Sequence, residues 1–277
     1  MAKYKIRKFP ESRLATVDIC EVGKSKHHVT GLIELDVTES RRMIREYNRE
    51  NSEYCREIGE NNQADSKISF LAWMISVIGH TIKHHEDVSS FLKGRGRLMI
   101  FEDINVSIIV EKNLNGQRVP IPLLIEKADK ISIESISRQI NEAREKQLDN
   151  NEIVLQKKTD RIETLYYRLP GFLRRLVWRY MLKHPGLTYS KMGNVAITSL
   201  GMAGQVKGWF IPITVHPVCF GLGSIIKKPV VIDDKVEIRE ILNMSVLLDH
   251  DVIDGAPMAR FISDLCRNVE GAKKIKI

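Results

Sequence analysis

The sequence predicts an α/β fold in which a mixed β-sheet is flanked by helices. The alternating apolar residues of V-T-G-L-I-E-L-D-V at 29–37 indicate a strand, and Thr38 then starts a polar helix to about Glu50. The turn signal N-L-N-G separates two strand-like stretches, 106–110 and 119–125, as in a β-hairpin. Strands and helices are interspersed without strict alternation, which favours a sheet with both parallel and antiparallel neighbours.

The remaining elements follow from the same patterns. Helical spacing of apolar residues predicts a buried helix over 69–84, and Ser132 starts a helix that ends near Gln147. Further strands are predicted at 195–199, 218–226, 230–232, 236–238 and 244–248, followed by an amphipathic helix at 257–269. No linker or internal repeat divides the chain, so we expect a single domain over residues 1–277.

Composition limits the classes of partner and compartment. The 277 residues are 43% hydrophobic and 28% charged, as in a soluble globular protein. The net charge of +8 favours acidic partners such as coenzyme A, nucleic acid or an anionic membrane. No nucleic-acid-binding signature occurs, so we expect no nucleic-acid partner. The four cysteines lie far apart, and neither a signal peptide nor a membrane span is recognisable, so we expect a cytoplasmic protein.

A histidine between two aspartates follows the last predicted strand. N-M-S-V-L-L-D-H-D-V-I-D-G-A-P begins with a continuously apolar strand that we expect to be buried on both faces, with His250 held at its end. Histidine titrates near neutral pH, so His250 is a candidate general base. Asp254 and Gly255 are typical of a turn before a helix that starts near Pro257, and a helix cap is the simplest interpretation of Asp254. The spacing alone leaves the structural and catalytic interpretations open for both residues.

H-D-V-I-D-G, with L-L-D before it and A-P-M-A-R-F after it, resembles the HxxxDG signature of one acyltransferase family. This is the catalytic domain of the dihydrolipoamide acyltransferase subunits of 2-oxoacid dehydrogenase complexes, which is related to chloramphenicol acetyltransferase. Further resemblances occur in the same order in V-T-G-L-I-E-L-D-V-T, F-E-D-I-N-V-S-I-I-V-E with V-P-I-P-L-L, A-I-T-S-L-G-M-A-G and H-P-V-C-F-G-L-G-S. The resemblance covers most of residues 1–272 and implies a chloramphenicol acetyltransferase-like fold.

The resemblance also implies a coenzyme A-dependent acyl transfer without a metal. His250 would take a proton from the thiol of coenzyme A or of a reduced lipoyl group, Thr198 would stabilise the oxyanion, and Asp254 would orient the active-site loop. In chloramphenicol acetyltransferase the corresponding aspartate pairs with an N-terminal arginine, for which Arg13 is the candidate here. The family places histidine and hydroxyl in neighbouring subunits, so we expect a homotrimer or a higher multiple of trimers.

Two departures from the family affect the expected acceptor and partners. The sequence contains no lipoyl or subunit-binding domain, so we expect any lipoyl group to come in trans from a lipoyl-bearing protein or dehydrogenase assembly. Asp251 stands where the family commonly has arginine. This difference weakens the inference that the chain shares the family's substrate specificity more than the inference that it shares the acyl-transfer chemistry. Two alternatives to acyl transfer to a thiol remain. In the first, the same site acylates a hydroxyl or amine. The other is a non-catalytic trimeric core or regulatory partner of a dehydrogenase-type assembly.

A third departure is an atypical basic amphipathic insertion at about 152–192. Its apolar residues Phe172, Leu173, Leu176, Val177, Tyr180 and Met181 are predicted to form one helical face, and Arg174, Arg175, Arg179 and Lys183 the other. Most amphipathic helices face a protein core. We therefore expect this helix to pack on its own core or a neighbouring subunit, as a lid or interface element that sets acceptor choice. Contact with an anionic membrane is the less favoured alternative.

Overall fold

A six-stranded mixed sheet forms the centre of the protein, with its strands in the order 28–36, 235–249, 218–232, 195–199, 106–114 and 117–125. The computed structural model describes residues 2–7, 9, 12–57, 67–94, 96–114, 117–145, 166–200, 206–273 and 275. The strand Val195–Ser199 is parallel to both of its neighbours, and the other pairs in the sheet are antiparallel. The predicted mixed sheet is therefore confirmed.

All the predicted strands coincide with strands of the central sheet, whereas two short strands, at 91–93 and 97–99, were not predicted. The strands are β1 (His28–Asp36), β2 (Phe91–Lys93), β3 (Arg97–Met99), β4 (Val106–Leu114), β5 (Gln117–Ile125), β6 (Val195–Ser199), β7 (Val218–Ile232) and β8 (Lys235–Asp249). Strands β7 and β8 each join two predicted strands into one of 15 residues. Their hairpin turns through Asp233 and Asp234, which both have positive φ as a tight two-residue turn requires.

The described helices include all those predicted from periodicity. They are α1 (Ser12–Gly23), α2 (Thr38–Glu57), α3 (Phe70–Lys83), α4 (Ile133–Glu145), α5 (Gly171–Lys183), α6 (Pro185–Met192) and α7 (Gly255–Glu270). Ser69 caps α3, because its hydroxyl oxygen accepts a hydrogen bond from the N–H of Ala72 at 3.1 Å. Helix α3 is buried along most of its length and provides Trp73 to the core shared with the sheet.

The second half of β8, from Ile241 to Asp249, is buried on both faces, as its continuous apolar sequence predicted. Met244, Val246 and Leu248 belong to the hydrophobic core that the sheet shares with the helices. The alternate residues Asn243, Ser245 and Asp249 are also buried and face the opposite side. On that side the Ser245 hydroxyl donates a hydrogen bond of 2.7 Å to the carbonyl oxygen of Phe210. The sheet therefore has one apolar face and one partly polar face, and both are covered near the end of β8.

Helix α5 packs on α1 through a buried polar cluster. Arg174 Nε donates to Asp18 Oδ2 at 2.7 Å, and the Asp18 side chain is almost completely buried. The Tyr166 hydroxyl donates to the same carboxylate oxygen at 3.0 Å and accepts from Trp178 Nε1 at 2.8 Å. The predicted assignment of Arg174 to a solvated basic face is therefore wrong, because an acidic partner on α1 draws this arginine inward. The part of the insertion at 152–165 lies outside the described residues.

Candidate active site

His250 lies immediately after the buried end of β8. Its backbone N–H donates a hydrogen bond of 2.9 Å to the carbonyl oxygen of His27, just before β1. The side chain is 47% exposed. The backbone of His250 is thus held by the sheet while its imidazole remains accessible to a ligand, which is the combination that a general base needs.

The residues on both sides of His250 are also attached to the start of β1. Asp249, which is fully buried, pairs with Lys26 at 2.6 Å between Oδ2 and Nζ. Asp251 Oδ1 lies 2.8 Å from Nδ1 of His27. Hydrogen bonds and an ion pair therefore connect residues 249–251 to residues 26 and 27. Sequence reasoning missed Lys26 and His27, because their partners lie more than 220 positions away.

Asp254 lies beside His250 at the start of α7. Its Oδ1 atom is 4.0 Å from His250 Nδ1, which is too long for a hydrogen bond but close enough for a charge interaction. Asp254 is the N-cap residue of α7 by position, yet its side chain caps no helix N–H group. The carboxylate is 91% exposed and free to approach the imidazole. The structure thus brings His250 and Asp254 together.

Arg13 is not brought to Asp254. It is exposed on the first turn of α1, with its guanidinium carbon 5.8 Å from the centroid of the Phe9 ring. Within the described part of the chain, no ion pair connects Arg13 and Asp254. The cation Lys26, just before β1, instead forms an ion pair with Asp249, the residue that precedes this loop.

Thr198 lies in β6, half buried, and is paired in register with Gly221 of β7. Gly221 is paired in turn with Ser245 of β8, so Thr198 shares the partly polar face of the sheet with Ser245. A side chain at 221 would collide with the Ser245 hydroxyl, since a Cβ placed there comes within 2.3 Å of Oγ. Glycine at this position therefore allows the close packing of the strands next to Thr198.

Thr198 and His250 of one chain are far apart. His250 lies five residues beyond Ser245 along β8, and two strand spacings separate β8 from β6. With a rise of about 3.3 Å per residue and a spacing of about 4.8 Å per strand, their Cα atoms are roughly 19 Å apart. One reacting carbonyl cannot contact both side chains of the same chain.

His216 is a second histidine near this end of the sheet, but it is fully buried. Its Nε2 lies 3.0 Å from the carbonyl oxygen of Met192, and its Nδ1 lies 3.0 Å from the Thr214 hydroxyl. Because a carbonyl only accepts, the proton is on Nε2 and Nδ1 accepts from Thr214. Burial lowers the pKa of His216 to about 4. This histidine is neutral at physiological pH and supports the structure instead of exchanging protons with a substrate.

A cavity of about 750 Å³ lies between the sheet and the helices near the end of β6. Its walls combine apolar side chains of β7 and β8 with four cationic residues, Arg41, Arg144, Lys207 and Lys227. Ser199 lines it, and because strand residues alternate, the neighbouring Thr198 side chain points to the opposite face. Sequence reasoning did not find these cations, since they come from four separate segments.

The three histidines of the segment H-T-I-K-H-H, at 80–85, contact one another or a side chain of α7. The rings of His80 and His84 meet edge to face at 4.9 Å, and His85 Nε2 lies 2.9 Å from Asp264 Oδ2. Among the residues that the structure describes, no group of three or more His, Cys, Asp or Glu side chains could hold a metal ion.

Comparison with known families identifies the chain. The model of the 2-oxoacid dehydrogenases acyltransferase (catalytic domain) family matches residues 15–155 and 184–277. The chain belongs to this family. The match includes the segments that carry Thr198, His250 and Asp254, and it leaves out 156–183, which contains α5.

Curated members of the acyltransferase family cover much of this chain. The dihydrolipoyllysine-residue acetyltransferase component of the pyruvate dehydrogenase complex of Staphylococcus epidermidis is 26% identical over 240 residues. That alignment covers 84% of this chain and 44% of the relative, and the Staphylococcus aureus protein matches to the same extent. The chain thus spans less than half the length of these relatives.

Solved structures of the family share the fold. A probable dihydrolipoamide acetyltransferase from Listeria monocytogenes superposes with a TM-score of 0.67 and 21% identity, over 98% of this chain and 96% of that one. The truncated catalytic core from Thermoplasma acidophilum gives 0.62 and 18%, over 98% and 99%. The predicted α/β acyltransferase fold with a mixed sheet is therefore confirmed. No described helix is long and apolar enough to cross a membrane.

Proposed function

We propose that this chain transfers an acyl group between coenzyme A and a thiol of the dihydrolipoyl type, with His250 as the general base. The observation that carries the proposal is the placement of His250. Its backbone and both neighbouring residues are fastened to the start of β1, while its imidazole is about half exposed. A base held in this way loses little conformational freedom when a substrate binds, which favours reaction.

The proposed reaction has two proton-transfer steps through His250. The imidazole takes the proton of the attacking thiol, and the resulting thiolate adds to the thioester carbonyl. When the tetrahedral intermediate collapses, the sulfur of the departing carrier receives that proton from the imidazolium. Asp254, whose Oδ1 lies 4.0 Å from His250 Nδ1, is proposed to orient the loop that carries the imidazole.

In this proposal Thr198 of a neighbouring subunit donates a hydrogen bond to the oxyanion. A hydroxyl about 19 Å away in the same chain cannot do so, whereas a neighbour related by a three-fold axis can place its β6 opposite the end of β8. Such a donor stabilises the transition state by roughly 3 kcal/mol.

A related enzyme supports these assignments by spacing. In the dihydrolipoamide acetyltransferase of Azotobacter vinelandii, which superposes with a TM-score of 0.65 and 19% identity over 98% of this chain and 94% of that one, a serine, a histidine and an asparagine were investigated for roles in catalysis. There the serine precedes the histidine by 52 residues and the asparagine follows it by four. Thr198 and Asp254 stand at the same two distances from His250.

The proposed assembly is a homotrimer or a higher multiple of trimers. Beyond the main sheet, β7 and β8 continue as a two-stranded ribbon whose exposed side chains include Val231, Val236 and Ile238. Exposed apolar residues concentrated on one projecting element are typical of a subunit contact. The proposed partners are a lipoyl-bearing protein or the dehydrogenase subunits of such an assembly.

The decisive experiment measures acetyl transfer from acetyl-CoA to free dihydrolipoamide. We expect activity in the wild type and a decrease of roughly 100-fold or more in His250→Ala, with unchanged assembly in analytical ultracentrifugation. His84→Ala, at an exposed histidine beyond α3, is the matched control. An inactive wild type that nevertheless forms trimers and binds a dehydrogenase assembly would instead support the non-catalytic core.

A further inference from the structure

Helix α5 contains no buried residue, unlike α3 and α7 of the same fold. One side of it is attached to α1 by the Arg174–Asp18 ion pair, and Trp178 donates to the Tyr166 hydroxyl, which donates to the same aspartate. These polar contacts fix the rotation of α5 about its own axis, and hence which side chains face away from α1. Among the residues that the structure describes, nothing covers the side of α5 that carries Phe172, Leu176, Val177 and Tyr180, which are all exposed.

The outward side of α5 carries a continuous apolar stripe. Phe172, Leu176 and Tyr180 are spaced by four residues, so they lie along one line of the helix, and Val177 lies beside them. Each of the four is between 49% and 65% exposed. Bulky apolar side chains rarely form a continuous row on a protein surface unless a binding partner or a membrane covers them.

Positive charge flanks the stripe along the described part of this segment, 166–200. Between residues 166 and 200 the sequence has no aspartate or glutamate, while Arg168, Arg175, Arg179, Lys183 and Lys191 are present. The acidic residues of α1 are already paired, since Asp18 pairs with Arg174 and Glu21 with Lys24. The outward side of α5 is therefore both apolar and cationic.

We infer that the outward side of α5 docks the protein on an anionic lipid bilayer. A short amphipathic helix with aromatic and aliphatic side chains between arginines and lysines suits the boundary between lipid headgroups and acyl chains. A two-fold contact between the α5 helices of two copies is a worse fit, because it would bring the same cations together. The segment 156–183 is also outside the family match, so the shared acyltransferase fold does not depend on it.

The test is sedimentation of the full chain with vesicles. We expect binding to vesicles of phosphatidylcholine containing one third phosphatidylglycerol, little binding to pure phosphatidylcholine, and weaker binding at high salt. Arg179→Gln with Lys183→Gln lowers the partition coefficient by at least tenfold, since each cation near the surface contributes roughly fivefold. Phe172→Gln with Leu176→Gln lowers it by at least as much, because the apolar contact is lost.

The matched control changes the same charge elsewhere. Arg49→Gln with Lys93→Gln removes two exposed cations from α2 and β2 and leaves vesicle binding unchanged. The inference is overturned if the wild type does not bind the anionic vesicles, or if the control weakens binding as much as the α5 variants. Unchanged binding of the Phe172→Gln, Leu176→Gln variant also overturns it. If that variant instead changes the oligomeric state and no form binds vesicles, another subunit covers the stripe.

Discussion

Lys26 and Asp249 form an ion pair of 2.6 Å in which the carboxylate is completely buried. The pair connects the residue before His250 to the turn that precedes β1. His27 and Asp251 make a second connection directly beside it, at 2.8 Å. The proposed catalytic loop is therefore positioned by an N-terminal segment rather than by the helix that follows it.

Loss of the cation in this pair is expected to destabilise the fold. Lys26→Met leaves a buried carboxylate without its partner, at a cost of about 3 kcal/mol in the free energy of unfolding, measured in urea. Lys24→Met removes an exposed partner of Glu21 and should change the stability little. The double variant Lys26→Met, Asp249→Asn should recover part of the loss. Equal midpoints for wild type and Lys26→Met would show that the pair contributes nothing.

Removal of the Thr198 hydroxyl should slow the chemical step. Thr198→Val keeps the β-branched shape in β6, so folding is retained while the proposed oxyanion donor is lost. We expect kcat to fall by roughly 100-fold, with little change in KM for acetyl-CoA. Thr198→Ser keeps a hydroxyl and should retain most of the activity. A change in KM alone would assign Thr198 to substrate binding.

A shared site predicts complementation between two inactive variants. In a mixed trimer of His250→Ala and Thr198→Val subunits, some interfaces combine an intact His250 with an intact Thr198. Activity should therefore return after subunit exchange, which fluorescence transfer between labelled subunits can verify. Exchange without recovery would mean that each chain has a complete site of its own, which the separation of roughly 19 Å makes hard to build.

Periodicity predicted most of the elements because their apolar faces are local properties of the sequence. It failed where pairing with another strand, rather than the apolar pattern of the strand itself, sets the length of an element. The strands at 218–226 and 230–232 were predicted separately because Lys227, Lys228 and Pro229 interrupt the apolar pattern, but pairing with β8 continues through all three positions. Pro229 is tolerated there because the ribbon projects beyond the main sheet, where fewer ladder bonds are needed.

Some residues of the candidate site could likewise be predicted from the local sequence, and others could not. His250 and Asp254 stand in one short motif, so the sequence could place them together. Lys26 and Arg174 act on partners more than 150 positions away, and no local pattern distinguishes them from solvated surface cations. The separation of Thr198 and His250 within one chain is likewise not apparent from their spacing in the sequence, whereas the strand register shows it.

The buried His216 predicts a specific loss of stability in acid. Burial lowers its pKa to about 4, whereas an unfolded chain has a histidine pKa of about 6.5. Between these values the unfolded state binds a proton that the native state does not. The free energy of unfolding contributed by this residue is therefore complete above about pH 6.5 and decreases as the pH falls towards 4, by about 3 kcal/mol in total.

The measurement compares urea unfolding of the wild type and His216→Gln at pH values from 7 to 4. Glutamine can donate to the Met192 carbonyl and accept from the Thr214 hydroxyl, but it cannot be protonated. The wild type should lose about 3 kcal/mol more than the variant across this range. His84→Gln, at an exposed position, should follow the wild-type curve. Parallel curves for wild type and His216→Gln would mean that His216 takes up a proton in the folded protein, and that its contacts with Met192 and Thr214 rearrange to accommodate the charge.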